Sequence, residues 1–185
     1  MQLDLGCHVR TSDDQDIGKI DRIILESRTM TIREFVVHQG TFFRHDRFIP
    51  IHFVDRVDPD GVVHLKITAA QASERAEYIG EQHMPIFTGT LLTVPTIHIV
   101  TRQGSIPHDA VVLSHRTQVF DSEGKYLGYV DKVHYSDANQ VSHIVLDTGD
   151  VFLWEMRIPV TSIASNRHDT ITLDPDAMKV VAEAS

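Results

Sequence analysis

Residues 17–23, IGKIDRI, and residues 127–133, LGYVDKV, write one phrase twice: apolar, Gly, any, apolar, Asp, basic, apolar. Sliding the chain against itself by 110 positions sets Val9 on Val119, Ser12 on Ser122, Gly18 on Gly128 and Asp21 on Asp131. With one residue removed in the turn near Thr29, Val36 falls on Val145, Gly40 on Gly149, Phe43 on Phe152, Ile49 on Ile158 and Pro50 on Pro159. One further single-residue step brings Leu65 onto Leu173. A repeat of this period means that one supersecondary unit is used twice, and it decides the fold before any local assignment does.

Each copy reads as β structure. Its apolar residues fall in short runs rich in Val, Ile and Phe, bounded by Gly, Asp, Ser and Asn. Strands are expected near residues 7–10, 17–26, 31–39, 46–53, 54–57 and 62–67 of the first copy. In the second they are expected near 117–120, 126–135, 141–148, 152–160, 163–166 and 170–173. SDDQD and DSEGK are turns that open the first hairpin of each copy. Ala-rich stretches at 68–78 and 174–184 predict a short helix after each copy, with Thr68 and Asp174 as candidate N-caps. Between the copies, residues 79–110 carry Pro85, Pro95 and Pro107 around the β-rich stretch LLTVPTIHIV. One or two extra strands are expected there, extending a sheet or covering a barrel edge.

Within this frame the shared positions have structural readings. Gly18 and Gly128 mark a bulge or a close backbone approach, which a tightly curved barrel needs at a corner. Pro50 and Pro159 lack an N–H and belong where the ladder is interrupted. Asp21 and Asp131 either hydrogen-bond the bulged backbone or face solvent.

Taken together, VRTSDDQDIGKIDRIIL and VFDSEGKYLGYVDKVHY, the returns EFVVHQG and HIVLDTG, the strands FIPIHFV and RIPVTSI, and the closing strands VVHLKI and TITLD resemble the PRC-barrel family. That family is named for the photosynthetic reaction centre and shared with a ribosome maturation factor. The second copy follows the pattern more fully, because Gly124 stands in its turn where the first copy has Asp14. The resemblance implies an all-β protein of two tandem six-stranded barrels, each followed by a short helix. Residues 1–78 are expected to form the first barrel, 79–110 a linker with extra strands and 111–185 the second barrel.

The chain has 185 residues, 42% of them apolar and 23% charged, the composition of an ordinary globule with a buried core. No run approaches the roughly 18 to 20 apolar residues of a membrane-spanning helix, and the N-terminal stretch has no basic-then-apolar signal pattern. A cytoplasmic protein is expected. Net charge is −9, so attraction to nucleic acid or to an anionic bilayer is disfavoured. The excess is uneven: residues 1–72 hold nine basic and eleven acidic side chains, and 73–185 hold eight and fifteen.

Twelve histidines raise metal binding, since neutral imidazole is a common transition-metal ligand. There is no HxH, no HExxH and no helical His pair four apart. His38, His45 and Asp46 form the nearest grouping, across a hairpin, and the second copy has Asp147, Trp154 and Glu155 in their places. Scattered surface or half-buried histidines are the preferred reading, and no metal site or cofactor is expected. Cys7 reads as a small core residue rather than a nucleophile. No nucleophile elbow, phosphate loop or dinucleotide fingerprint occurs. An enzyme is therefore not expected, and no catalytic residue is assigned.

In GTFFRHDRF, Phe42, Phe43 and Phe48 alternate with Arg44 and Arg47. Such a mixture can stack bases or form a protein interface, although a hairpin with Phe43 in the core and arginines in solvent is the preferred account given the overall acidity. This hairpin and its counterpart GDVFLWEMR, with Trp154, are the expected partner surfaces. The reading as a whole is a non-enzymatic protein-binding or scaffold module, a homodimer with an unidentified protein partner. An accessory role in a photosynthetic or membrane electron-transfer complex and assistance in ribosome maturation or RNA processing are the alternatives, both by family analogy.

Overall fold

The computed structural model describes residues 1–38, 46–75, 77–78, 103–104, 106–107, 109–149, 156–167 and 169–175. Strand is the dominant element among the described residues, and α1 is the one α-helix among them. The first half contains β1 (Gln2–Asp4), β2 (His8–Arg10), β3 (Asp16–Glu26), β4 (Thr31–His38), β5 (Asp46–Pro50), β6 (Val54–Val57) and β7 (Val63–Leu65). A helix α1 (Ala69–Ser73) and the short strands β8 (Glu77–Tyr78) and β9 (Gln103–Gly104) follow. The second half contains β10 (Val111–Ser114), β11 (Gln118–Phe120), β12 (Tyr126–Tyr135), β13 (Val141–Asp147), β14 (Met156–Pro159), β15 (Ile163–Arg167) and β16 (Thr170–Leu173).

These strands form two curled sheets that make two barrel-like units. One runs in the order β6-β7-β2-β3-β4-β5-β8-β9, and the other in the order β14-β13-β12-β11-β16-β15. In each, one short strand pairs in parallel with a strand near the end of its unit, β2 with β7 and β11 with β16. The long strands β3 and β12 curl because each is bulged twice. The first bulge leaves Ile17 or Leu127 without a partner, beside Gly18 (φ +124°) and Gly128 (φ +153°). A Cβ on Gly128 would lie 2.5 Å from the Asp147 carbonyl oxygen, so only glycine fits. The second bulge leaves Asp21 or Asp131 as the extra residue. Thus the twice-written phrase is a pair of bulges whose extra residues stand four apart, the Gly for close approach beside the first and the Asp as the inserted residue of the second.

Turn chemistry is shared as well. Asp14 adopts φ +58° where Gly124 adopts φ +84°, so an aspartate fills in the first unit the left-handed position that glycine fills in the second. Pro50 and Pro159 end their strands and open 3-10 turns at Ile51–Phe53 and Val160–Ser162, the corner expected of a residue that cannot donate to the ladder.

Some boundaries differ from the sequence reading. The strand expected over 46–53 stops at Pro50 because of that corner. The helix expected over 68–78 is only Ala69–Ser73, held at its start by a capping box between Thr68 and Gln71. Glu77 and Tyr78 instead extend the sheet by pairing with Arg47 and Asp46. The second expected helix and most of the linker lie outside the described residues.

Two strands absent from the sequence reading tie the halves together. β1 pairs antiparallel with β12 of the second unit, Leu3 opposite Val133, and β10 pairs antiparallel with β3 of the first unit, Leu113 opposite Ile23. With the repeat offset of 110, Leu3 corresponds to Leu113 and Ile23 to Val133, so the two exchanges have one register. A second contact is equally reciprocal. Thr31 bridges Gln140, the Ile32 N–H donates to the Asn139 carbonyl (2.8 Å), and the Val141 N–H donates to the Met30 carbonyl (2.9 Å).

Leu3, Ile23, Leu113 and Val133 are all fully buried in a single hydrophobic cluster that runs through both units. Burial of this kind is the main favourable term in folding. Leu3→Ala and Leu113→Ala are each expected to cost about 2–5 kcal/mol. In urea unfolding followed by circular dichroism, each should shift one transition of the whole chain; a transition that splits so that half the signal keeps its midpoint would contradict a shared core. Gly128→Ala is expected to cost more than about 2 kcal/mol, since it meets both a positive φ and a backbone oxygen, and the same measurement checks it.

Candidate functional site

The outer faces of the two units use the same backbone to display different chemistry. A regular strand sends residues three apart to opposite faces. The bulges at Ile17 and Leu127 restore Asp16 with Lys19, and Tyr126 with Tyr129, to one exposed face. On the first unit this face carries His8, Arg10, Asp16, Lys19 and His38. Residue for residue, the second unit has Gln118, Phe120, Tyr126, Tyr129 and Asp147, in matching registers.

The first face is ionic and holds three His–Asp pairs. His8 Nδ1 lies 2.7 Å from Asp16 Oδ2, His38 Nδ1 lies 2.6 Å from Asp46 Oδ1, and His64 Nε2 lies 2.7 Å from Asp58 Oδ2. An ionised carboxylate only accepts, so the imidazole N–H donates in each pair. Asp16 also accepts the Gly18 N–H (2.9 Å), bracing the bulge. Arg10 pairs with Asp14 at 3.0 Å, and Arg56 Nε donates to Asp58 at 3.1 Å. The bond from His64, with help from Arg56, holds the Asp58 carboxyl below its ordinary range. The exposed pairs contribute about 0–1 kcal/mol each, so their effect is to set the charge pattern of the surface; His64 and Asp58 are part-buried.

The second face is aromatic. Tyr126 and Tyr129 meet edge to face with ring centroids 5.5 Å apart and planes at 69°, and Phe120 meets Tyr126 at 5.7 Å and 64°. Gln118 Nε2 reaches the Tyr129 hydroxyl at 3.5 Å. Elsewhere in this unit His134 and His143, opposite each other on β12 and β13, stack at 4.3 Å and 15°. Burial, and then the Arg157 charge, push the His143 ring below its ordinary value.

Neither face assembles a reactive centre from described residues. His38 is engaged by Asp46, and His45 lies outside the described residues, so the grouping that raised metal binding is represented by one His–Asp pair. Among the described residues, no three His, Cys, Asp or Glu side chains stand where they could hold a metal ion. Burial foremost, with the Asp4 charge, pushes the Cys7 thiol up to about 12, which leaves it protonated and inert at neutral pH. Asp131, the bulge residue, has its carboxyl raised chiefly by burial, while its carbonyl accepts the Leu5 N–H of the exchanged chain at 3.0 Å. Asp21 contacts its neighbour Arg22 at 3.2 Å.

The expected partner surface is corrected at one point. Phe48 is buried, 3% exposed, in a small cluster with Ile24 and Val36 that Ile106 and Ala110 cover. The register sets Phe48 beside Val36, and the covering segment removes both from solvent. Phe42, Phe43, Arg44 and Trp154 lie outside the described residues. The exposed Tyr126 and Tyr129 were not singled out in the sequence; a regular strand would send residues three apart to opposite faces, and the bulge marked by Gly128 is the signal that could have joined them.

Residues 5–72 are matched by the family model of the PRC-barrel domain. No curated protein matches the chain. Among the described residues, no helix is long and apolar enough to cross a membrane.

A pH response follows from His143. Its folded value lies below the ordinary one, so folding favours the neutral ring, and stability is lost as pH falls through the unfolded value of about 6.5 towards the folded one. Arg157 opposes the added charge. His143→Gln is expected to shrink the drop in urea midpoint between about pH 7.5 and 5; an unchanged drop would remove His143 as a cause.

Proposed function

We propose, starting from the PRC-barrel domain at residues 5–72, that this chain is a non-enzymatic protein-binding or scaffold module. In this reading it is built from a duplicated domain, with residues 1–78 and 111–185 as its two copies and 79–110 joining them. The matching registers of the exchanged strands and the equivalent bulges support duplication.

The observation that carries the proposal is the pair of outer faces. One backbone surface is dressed with His–Asp and Arg–Asp pairs in one unit and with aromatic rings in the other, while the described interior is apolar packing. A face that the fold does not require to be aromatic, yet is, suits contact with another protein, since aromatic side chains are enriched at interfaces. Function then resides in the surfaces grafted on the barrels and not in the barrels themselves.

In this reading the pairing of β1 with β12 and of β10 with β3 takes, within one chain, the part that the sequence reading gave to a homodimer. β1 and β10 already occupy the flanks of β12 and β3 that a second molecule would otherwise fill. Affinity capture of the tagged chain from its native cell is expected to retain a protein partner at stoichiometric yield, and light scattering of the purified chain should give the mass of one chain. Capture of no protein above background would defeat the module reading. A two-chain mass would return the association to a homodimer.

A further inference from the structure

We propose that the outer face of β11 and β12, built on Tyr126, Tyr129 and Phe120 with Asp147 at its edge, docks an extended, arginine-bearing segment of a partner protein. This deepens the protein-binding reading above and rests on it.

Among the described residues, the only large aromatic side chains left exposed are Tyr126 (42%) and Tyr129 (41%), and they are adjacent. Their geometry is ordered before any partner arrives. Phe120 supports Tyr126 from the neighbouring strand, Gln118 reaches the Tyr129 hydroxyl, and the bulge at Leu127 aims both tyrosines outward. A preorganised surface loses less freedom on binding. The barrel does not need these rings, because the corresponding positions of the first unit are Arg10, Asp16 and Lys19.

Charge selects the occupant. Asp147 is exposed and sits directly opposite Tyr129 in the sheet, with its Oδ1 held by the Gly149 N–H at 2.9 Å. Its carboxylate adds to the effects of burial and of the bond to Tyr129 that push the Tyr126 phenol above its ordinary value. On the other side the ladder is flanked by uncharged Thr170 and Thr172, opposite Gln118 and Phe120. Residues 73–185 as a whole carry fifteen acidic and eight basic side chains. Two tyrosine rings beside a carboxylate fit a cation that is also flat. A guanidinium stacks on an aromatic face and forks onto a carboxylate, which an ammonium does less well. An extended peptide can present such a group along the row while its prolines or aliphatic carbons lie on the second ring.

The test is a fluorescence anisotropy titration of the full chain against a labelled peptide of alternating Arg and Pro, with Lys-Pro and Glu-Pro peptides alongside at the same salt. Saturable binding that prefers Arg over Lys and excludes Glu is expected. Tyr126→Ala and Tyr129→Ala should each weaken it about tenfold or more, and Asp147→Asn should weaken it too, with thermal midpoints unchanged. Lys19→Ala, at the corresponding point of the first unit, should leave it intact. Equal affinity for Lys-Pro, or indifference to the tyrosine substitutions, would overturn the proposal. So would self-association of the wild-type chain that Tyr129→Ala abolishes, since a second copy would then be the occupant. Native capture of a partner that persists in the Tyr126→Ala, Tyr129→Ala double variant would also overturn it, while leaving the protein-binding reading in place.

Discussion

Reciprocal pairing of β1 with β12 and of β10 with β3 is the constraint on which the rest of the molecule depends. A curled sheet of short strands has flanks with unpaired N–H and C=O groups, and these must be paired, covered or left to aggregate. Each unit here satisfies the long strand of the other with a three- or four-residue strand whose central leucine is fully buried. The same contact therefore supplies backbone hydrogen bonds, removes an open flank and joins two small cores into one. Small domains bury a modest share of their surface, so fusion of the cores is a direct route to stability for units of this size. The direct bonds around Thr31 and Gln140 add a second reciprocal fastening.

Within each unit, curvature comes from the bulges. A ladder with two extra residues on its longest strand twists more sharply, and each bulge also resets which side chains face out. That second effect links architecture to surface. Because Leu127 is passed over in the pairing, Tyr126 and Tyr129 share a face, and because Ile17 is passed over, so do Asp16 and Lys19. The barrel thus offers the same sites of display twice, and the two units fill them with different chemistry. One becomes a field of ion pairs and hydrogen-bonded imidazoles, tolerant of solvent and screened by salt. The other becomes a ladder of rings that water wets poorly, bordered by a carboxylate. Divergence at exposed positions over a common core suits a module whose work is done by its surfaces.

Much of the fold was legible in the residues. Alternating apolar runs located the strands, since a half-buried strand has a period of two and turn residues mark its ends. Gly18, Gly128, Pro50 and Pro159 announced corners because each has a backbone restriction that only a few environments accept. β1 and β10 were not legible as exchanged strands. Leu3 between Gln2 and Asp4, and the run Val111–Leu113, have strand character, but nothing in so short a segment specifies which sheet receives it. The reach of α1 was overestimated for a related reason: Ala-rich composition favours helix weakly, and pairing with β5 outweighs it for Glu77 and Tyr78. The candidate surface was the least legible part, for an aromatic side chain in a strand can point to either face. Phe48 and Tyr129 differ in that respect through register and covering segments alone.

The sequence by itself determined that the chain is all-β, that one pattern of bulge, turn and corner is written twice, and where most of its strands lie. These are local matters, decided by periodicity and by the backbone limits of Gly and Pro. Only the tertiary structure decided that the two units trade strands, that their cores are continuous, and that Tyr126 and Tyr129 stand together in solvent beside Asp147. Those outcomes depend on which backbone satisfies which, and on which residue the bulge at Gly128 leaves unpaired; Gly128 marks the bulge, but the register around it is set by the neighbouring strands.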